Sequence, residues 1–210
     1  MSHRFDETLR RRLAERCAAF PRLRLDAAAL GLKPAAVAIT LVEASDGSRA
    51  AAFLLTERAQ SLRAHAGQYA LPGGRCDAGE TAVAAALREL DEELGLELDA
   101  GAALGLLDDY PTRSGYLLTP VVLWAAAGAV LRPNPDEVGA VHRVALAEIA
   151  RADAVDFVSI PESSRKVVRI RIEGERVHAP TAAVLYQFRE LLAGRVTRVA
   201  DLEQPVFAWR

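Results

Sequence analysis

Apolar residues recur along the chain with two different periods, and the first of these is helical. Between residues 5 and 20, Leu9, Leu13 and Cys17 follow one another at fourfold spacing, which predicts a helix with one buried face. Pro21 ends this helix, because proline disfavours the helical conformation in the residue before it. A second, short helical stretch is predicted around residues 25–30.

After Pro34 the pattern becomes extended. Residues 35–42 and 50–56 are apolar runs separated by Asp46-Gly47-Ser48, which is typical of a β-hairpin turn. Further apolar runs predict strands at residues 104–107, 117–125, 141–144, 167–172 and 176–178.

Two more helices complete the pattern. One is predicted from Gly79 or Glu80 to residue 94, and Gly95 ends it. Pro180 lies in the first turn of the last helix, which runs through residue 192 and ends at Gly194. Because strands and helices mix without a regular βαβ alternation, the expected class is α+β, with a sheet covered by helices.

Composition restricts the function. A chain of 210 residues favours one substantial domain, and its net charge of -2 gives no support to a general nucleic-acid binder, which needs a basic surface. No apolar stretch is long enough to span a bilayer, so no membrane partner is expected. Cys17 and Cys76 lie far apart in no redox or metal-binding spacing, which favours a reducing cytoplasm and no disulfide.

The predicted helix that ends at Gly95 carries a cluster of acids. Glu89, Glu92 and Glu93 are three and four residues apart, so a helix brings them to one face, where like charges repel. Hard oxygen ligands suit Mg²⁺ or Mn²⁺. The alternative is an exposed helix laced with salt bridges, since Arg88 could bridge to Glu80 or to Glu92. The opposite, buried stripe is predicted to be Val83, Leu87, Leu90 and Leu94.

The full spacing decides between these alternatives. Residues 74–96 resemble the Nudix box, G-x5-E-x7-R-E-U-x-E-E-x-G-U with U a bulky aliphatic residue, at every defined position. The resemblance implies a loop–helix–loop on a mixed β-sheet sandwiched between α-helices, in an α/β/α arrangement. It also implies metal-dependent cleavage of a pyrophosphate bond. The implied metal ligands are Glu89 and Glu93, with Glu92 assisting and the Gly73 carbonyl adding an oxygen.

The same resemblance implies further roles in the site. Arg88 and Glu80 would position the ligands, and Arg88 and Glu92 join the candidate catalytic residues. A purely structural ion pair between Glu80 and Arg88 is compatible with that role.

A second resemblance concerns the substrate. Residues 54–74 are similar to the signature of coenzyme A pyrophosphatases, L-L-T-x-R-S-x3-R-x3-G-x3-F-P-G-G, with Ala59 in place of the serine and Leu71 in place of the phenylalanine. The resemblance implies hydrolysis of coenzyme A, or a derivative, to 3′,5′-ADP and 4′-phosphopantetheine. The substrate-binding candidates in this segment are Arg58, Arg63, His65, Gly67 and Gln68. Arginine and histidine could donate hydrogen bonds to its phosphates, or these residues could be surface charge.

Two other functions are compatible with the sequence. The box alone is compatible with ADP-ribose or another nucleoside diphosphate derivative as the substrate. A non-catalytic Nudix-like ligand sensor is also conceivable, although such a protein would be expected to carry a DNA-binding segment or to lack box glutamates. The expected partner is in each case a small nucleotide-derived molecule.

The segments on either side of this region complete the predictions. Residues 109–116 and 133–138 also resemble the coenzyme A subfamily, and Glu137 is a candidate general base or further ligand, or else a capping acid. The predicted division is an N-terminal helical extension at 1–32, a Nudix domain at 33–195 and a tail at 196–210. A homodimer contact or a cap over the core is expected of the two end segments, with Phe207 and Trp209 buried.

Overall fold

The structure, a computed structural model, describes residues 3–60 and 67–205. Helix α1 (Glu7–Ala19) begins at Asp6, whose side chain accepts a hydrogen bond from the Leu9 amide at 2.9 Å. The side chains of Leu9, Leu13 and Cys17 are buried, as their fourfold spacing predicts.

The predicted helix at 25–30 is wrong. This stretch forms a turn, in which the Asp26 carboxylate accepts hydrogen bonds from the amides of Ala28 and Ala29 at 2.9 and 3.2 Å. A side chain that satisfies nearby amides in this way competes with helix formation.

The remaining helices and strands follow in a mixed order. The first half contains β1 (Lys33–Glu43), β2 (Ala51–Arg58), β3 (Tyr69–Ala70), β4 (Gly73–Arg75), α2 (Ala82–Leu94), a short 3₁₀ helix (Ala100–Ala102) and β5 (Ala103–Leu106). The second half contains β6 (Tyr110–Pro111), β7 (Tyr116–Trp124), β8 (Val138–Ala145), α3 (Leu146–Ala150), β9 (Val155–Ile160), β10 (Ser163–Ile172), β11 (Glu175–His178) and α4 (Thr181–Leu192). All the predicted strands are found with shifted ends, whereas the short strands β3, β4 and β6, the 3₁₀ helix, β9 and α3 were not predicted.

The large sheet is mixed, as predicted. Its main order is β3-β2-β1-β7-β5, with β4 paired to β1, β6 to β7 and β8 to β2. Strands β1 and β7 are parallel, with Lys33 opposite Tyr116, and the other pairs are antiparallel. A separate antiparallel sheet has the order β11-β10-β9.

Successive side chains of β1 pack into two different hydrophobic cores. Ile39 and Leu41 pack in a cluster with residues of α1 and α4, whereas Ala38 and Val42 pack in a cluster with residues of α2. Successive side chains of a strand point to opposite faces, so helices cover both faces of this sheet. The α/β/α arrangement is confirmed. Helix α1 covers one of these cores, and the division of the chain at residues 32 and 195 stays a prediction.

Helix α2 begins later than predicted. The Thr81 hydroxyl accepts a hydrogen bond from the Ala84 amide at 3.2 Å, which caps the helix at Ala82 rather than at residue 79 or 80. Gly95 ends it with a φ of 58°, a left-handed conformation that glycine adopts without strain.

The buried face of α2 also differs from the prediction. Leu90 and Leu94 are buried, but Val83 and Leu87 are only half-buried. Ala85 and Ala86 occupy the centre of the interface instead. Small residues allow a helix to approach the sheet closely, and the facing positions of β1 include alanines as well.

Candidate active site

The site is built around the two glycines of β4. Gly73 has a φ of 154°, and a Cβ at this position would overlap the backbone carbonyl of Ala36 on β1. A Cβ on Gly74 would overlap the carboxylate of Glu89. The absence of side chains at these positions therefore leaves a space beside the backbone of β4, and the Glu89 carboxylate occupies it.

The three glutamates of α2 have different environments. Glu93 is only 7% exposed, and the Gly73 amide points to its carboxylate at 3.5 Å. Glu89 is half-buried beside Gly74. The side chain of Glu92 is 53% exposed and accepts a hydrogen bond from Arg88 at 2.9 Å. The structure therefore brings Glu89 and Glu93 to the two glycines of β4 and leaves Glu92 exposed.

Burial destabilises the charged forms of these acids. Burial raises the pKa of Glu93 to about 8, and the charges of Glu89 and Glu137 act in the same direction. Burial also raises the pKa of Glu89, although its hydrogen bond from Arg88 opposes the shift. Acids buried near one another in this way are stabilised in their charged forms by a nearby cation.

The donor set fits a divalent cation that is shared with a substrate. Glu89 and Glu93 supply hard carboxylate oxygens beside Gly74 and Gly73 of β4. Within residues 3–60 and 67–205, no three acidic, histidine or cysteine side chains form a complete metal-binding cluster. Magnesium commonly takes one or two carboxylates and completes its shell with water and substrate phosphates. The Gly73 carbonyl as a ligand stays a prediction.

Arg88 connects the acidic side chains to β4. Its guanidinium donates to both carboxylate oxygens of Glu80, at 3.1 and 3.2 Å, and to Glu89 at 3.0 Å. It also donates to Glu92 and to the Arg75 carbonyl, each at 2.9 Å. Glu80 in turn accepts a hydrogen bond from the Asp77 amide at 2.8 Å. With its donors directed to these partners, Arg88 is placed to orient Glu89 rather than to contact a reacting group.

Glu137 lies in a loop that contacts α2, because the Asn134 amide of this loop donates a hydrogen bond to the Glu93 carbonyl at 2.9 Å. It is exposed in the loop before β8, and the Asn134 side chain lies 3.4 Å from its carboxylate. Its charge contributes to the raised pKa of both Glu89 and Glu93. The charge of Glu137 therefore acts on both ligand candidates, and its role as a base stays a prediction.

A cleft of about 750 Å³ borders the two glycines of β4. Its walls include Arg58, Gly67 and Gln68 from the predicted substrate segment. The Nε of Arg58 is buried and has no hydrogen-bond partner among the described residues. Arg63 and His65 lie outside the described residues.

Sequence reasoning missed part of this cleft. Arg75 and Tyr116 line it, together with residues of β11 and the start of α4, among them Arg176, Val177, His178, Thr181 and Val184. The sequence could have indicated Arg75, because this residue directly follows the two glycines. The contribution of β11 could not be read from the sequence, because it depends on the tertiary fold.

The profile of the NUDIX domain family matches residues 32–162, more than half of the chain. The chain belongs to the Nudix family. Nudix hydrolases cleave pyrophosphate bonds in small nucleotide-derived molecules and generally use divalent metals. Helix α2 and the two glycines of β4 both lie within the matched segment.

Two relatives carry the name Nudix hydrolase NudL. The protein from Photorhabdus laumondii is 31% identical over 141 residues, which cover 66% of this chain and 75% of the relative. The protein from Escherichia coli K12 is 42% identical over 97 residues, which cover 46% of this chain and 50% of the relative. The matched segment thus spans only about half of the second relative.

Solved Nudix structures share the fold. The Nudix hydrolase RenU from M. smegmatis superposes with a TM-score of 0.50 at 23% identity, over 80% of this chain and 91% of RenU. A MutT/nudix family protein from Enterococcus faecalis superposes with a TM-score of 0.51 at 16% identity, over 76% of this chain and 62% of that protein. At these identities the likeness shows the fold alone. Among the helices of the described part, none has the length and apolar character to cross a membrane.

Proposed function

We propose that this Nudix hydrolase cleaves the pyrophosphate bond of coenzyme A or a derivative, giving 3′,5′-ADP and 4′-phosphopantetheine. The observation that carries the proposal is the position of Arg58. This residue of the segment that resembles coenzyme A pyrophosphatases lines the cleft beside Gly73 and Gly74, where Glu89 and Glu93 also meet the backbone.

Each residue of the site has a separate role in the proposed hydrolysis. Glu89 and Glu93 would hold Mg²⁺ or Mn²⁺, which when bound neutralises charge on the pyrophosphate. Arg58 donates hydrogen bonds to the phosphate oxygens, and its charge lies close enough to Glu93 to lower that residue's pKa. Arg88 keeps Glu89 oriented through its 3.0 Å hydrogen bond.

Glu137 is the proposed base. It accepts a proton from the attacking water, whose oxygen bonds to one phosphorus while the bond from that phosphorus to the bridging oxygen breaks. The bridging oxygen leaves with the bonding electron pair on the other phosphate. One water is consumed: its oxygen and one of its protons stay on the phosphate that was attacked, and Glu137 passes the other proton to the leaving phosphate or to solvent, which restores the base.

The test is a comparison of substrates. Coenzyme A, dephospho-coenzyme A and ADP-ribose are incubated separately with the protein and Mg²⁺ or Mn²⁺, and the products are identified by mass. We expect a higher kcat/KM for coenzyme A than for ADP-ribose. Equal or better efficiency on ADP-ribose would overturn the proposed substrate and leave the Nudix chemistry intact. The Glu93→Gln protein is the control for contaminating hydrolases.

A further inference from the structure

A second cationic position borders the cleft, away from the glutamates. The Nε of Arg75 donates a hydrogen bond to the Tyr116 hydroxyl at 3.0 Å, and its guanidinium carbon lies 5.4 Å from the centroid of the Tyr116 ring. Tyr116 is half-buried at the start of β7 and Arg75 is exposed at the end of β4. The tyrosine therefore fixes the direction of an arginine that is otherwise open to solvent.

The charge of Arg75 is not neutralised by the protein around it. Across residues 3–60 and 67–205, no carboxylate lies within ion-pair distance of its guanidinium, although Glu175 lines the same cleft. Arg88, thirteen residues later, has three carboxylate partners. A held arginine without a counter-charge in a cleft is suited to binding an anion.

The hydrogen-bonding groups at this position match a phosphate. Arg75 uses its Nε for Tyr116, which leaves the two terminal nitrogens to form the paired hydrogen bonds that guanidinium gives to phosphate. The Tyr116 oxygen accepts from Arg75, so its own hydrogen is available to an anion. Three donor atoms of two side chains can thus converge on one group.

The backbone places this position next to the reaction centre but on another side of it. A Cβ on Gly74 would point to the Glu89 carboxylate, and successive residues of a strand point to opposite faces, so the Arg75 side chain points away from Glu89. The Arg75 carbonyl is nevertheless tied to α2 through Arg88. An anion at Arg75 is therefore distinct from the pyrophosphate that the glutamates would bind.

We propose that Arg75, held by Tyr116, binds a phosphomonoester on the nucleotide half of the substrate and selects substrates that carry one. This inference rests on the proposed function, because coenzyme A carries a 3′-phosphate whereas dephospho-coenzyme A and ADP-ribose do not. Arg75 is then a specificity-determining residue rather than a catalytic one.

Binding of the nucleotide products tests this site without any hydrolysis. The affinities of 3′,5′-ADP and 5′-AMP are measured by calorimetry for the wild type, Arg75→Gln and Tyr116→Phe. We expect wild type to bind 3′,5′-ADP about tenfold to a hundredfold more tightly than 5′-AMP, and Arg75→Gln to lose most of that difference. Tyr116→Phe should lose part of it. Arg24→Gln, an exposed arginine that does not line the cleft, is the matched control and should behave as wild type.

The outcomes separate this inference from the proposed function. Equal affinity of the wild type for the two nucleotides, or an undiminished preference in folded Arg75→Gln, would overturn the phosphomonoester site. If the preference depends on Arg75 but coenzyme A is not hydrolysed, the site stands and the proposed substrate fails. If Arg75→Gln lowers kcat/KM equally for coenzyme A and dephospho-coenzyme A, the inference fails while the proposed function survives.

Discussion

Arg113 and Glu203 form an ion pair with two hydrogen bonds, from Nε at 3.0 Å and from the terminal Nη2 at 2.6 Å. The Arg113 amide also donates to the Gln204 side chain at 2.7 Å. The segment after α4 is thereby fastened to the loop between β6 and β7, which leads to Tyr116. Arg113 lies within the segment that matches the family profile and residues 203 and 204 lie beyond it, so this ion pair ties the C-terminal segment to the Nudix domain.

Removing the charge of Glu203 should destabilise the protein in a pH-dependent way. The hydrogen bond from Arg113 lowers the pKa of Glu203 to about 2. A depressed pKa contributes stability above the unfolded value of about 4.3, and this contribution is lost as pH falls toward 2. Glu203→Gln should therefore lower the free energy of unfolding at pH 7 by about 1–3 kcal/mol.

The measurement is urea unfolding of the wild type and Glu203→Gln between pH 7 and pH 3. The difference between the two proteins should shrink below about pH 5. Glu15→Gln, which removes an exposed partner of Arg11 at 3.9 Å, is the control and should change stability little. A constant difference across the whole pH range would contradict an effect of the Glu203 charge.

Glu93→Gln tests the metal ligands. The substitution keeps the shape of the side chain and removes the repulsion with Glu89 and Glu137, so the fold should persist. Loss of a ligand carboxylate should lower turnover on the order of a thousandfold, which corresponds to several kcal/mol of transition-state stabilisation. Melting curves with Mg²⁺ and with EDTA should show metal stabilisation for the wild type and less for the variant. Near-normal turnover of the variant at saturating Mg²⁺ would exclude Glu93 as a principal ligand.

The amino-acid sequence predicted the site helix well because two independent patterns coincide there. The spacing of Leu90 and Leu94 identifies a buried face, and the spacing of Glu89 and Glu93 places both acids together. The same pattern could not show that Glu92 is exposed, because three and four residues are nearly equivalent steps on a helix. That distinction comes from the position of β4, which covers Glu89 and Glu93 alone.

Other elements were missed for local physical reasons. The exposed and half-buried residues of β9 do not alternate regularly, so this segment lacks the two-residue period by which a strand is identified. The stretch at 25–30 has helical spacing, but Asp26 satisfies its neighbouring amides as a turn. The role of Arg75 depends on Tyr116, which lies 41 residues away, and no local pattern records such a contact.

Gly74→Ala tests whether the space beside β4 matters for the reaction. The backbone of Gly74 does not require glycine, but the added Cβ would overlap the Glu89 carboxylate and displace it. We expect turnover to fall at least tenfold with little change in the melting temperature, because Glu89 can rotate toward solvent. Gly139→Ala is the control, since a Cβ there meets its neighbours at ordinary contact distances of 3.5 Å. Full activity of Gly74→Ala would show that the position of Glu89 is not required.

Glu137→Gln distinguishes a general base from a bystander. Glu137 is exposed on a loop, and its charge contributes to the raised pKa of both Glu89 and Glu93. A general base should contribute roughly a hundredfold to ten-thousandfold to turnover.

The measurement is kcat across pH at saturating metal, together with the metal concentration that gives half-maximal activity. Asp136→Asn is the matched control, because it removes a neighbouring exposed charge from the same loop. A large loss of kcat with unchanged metal dependence identifies the base, and a loss that more metal restores makes Glu137 a ligand. If the kcat and pH profile of Glu137→Gln match those of Asp136→Asn and the wild type, the base must be sought among Glu89, Glu92 and Glu93.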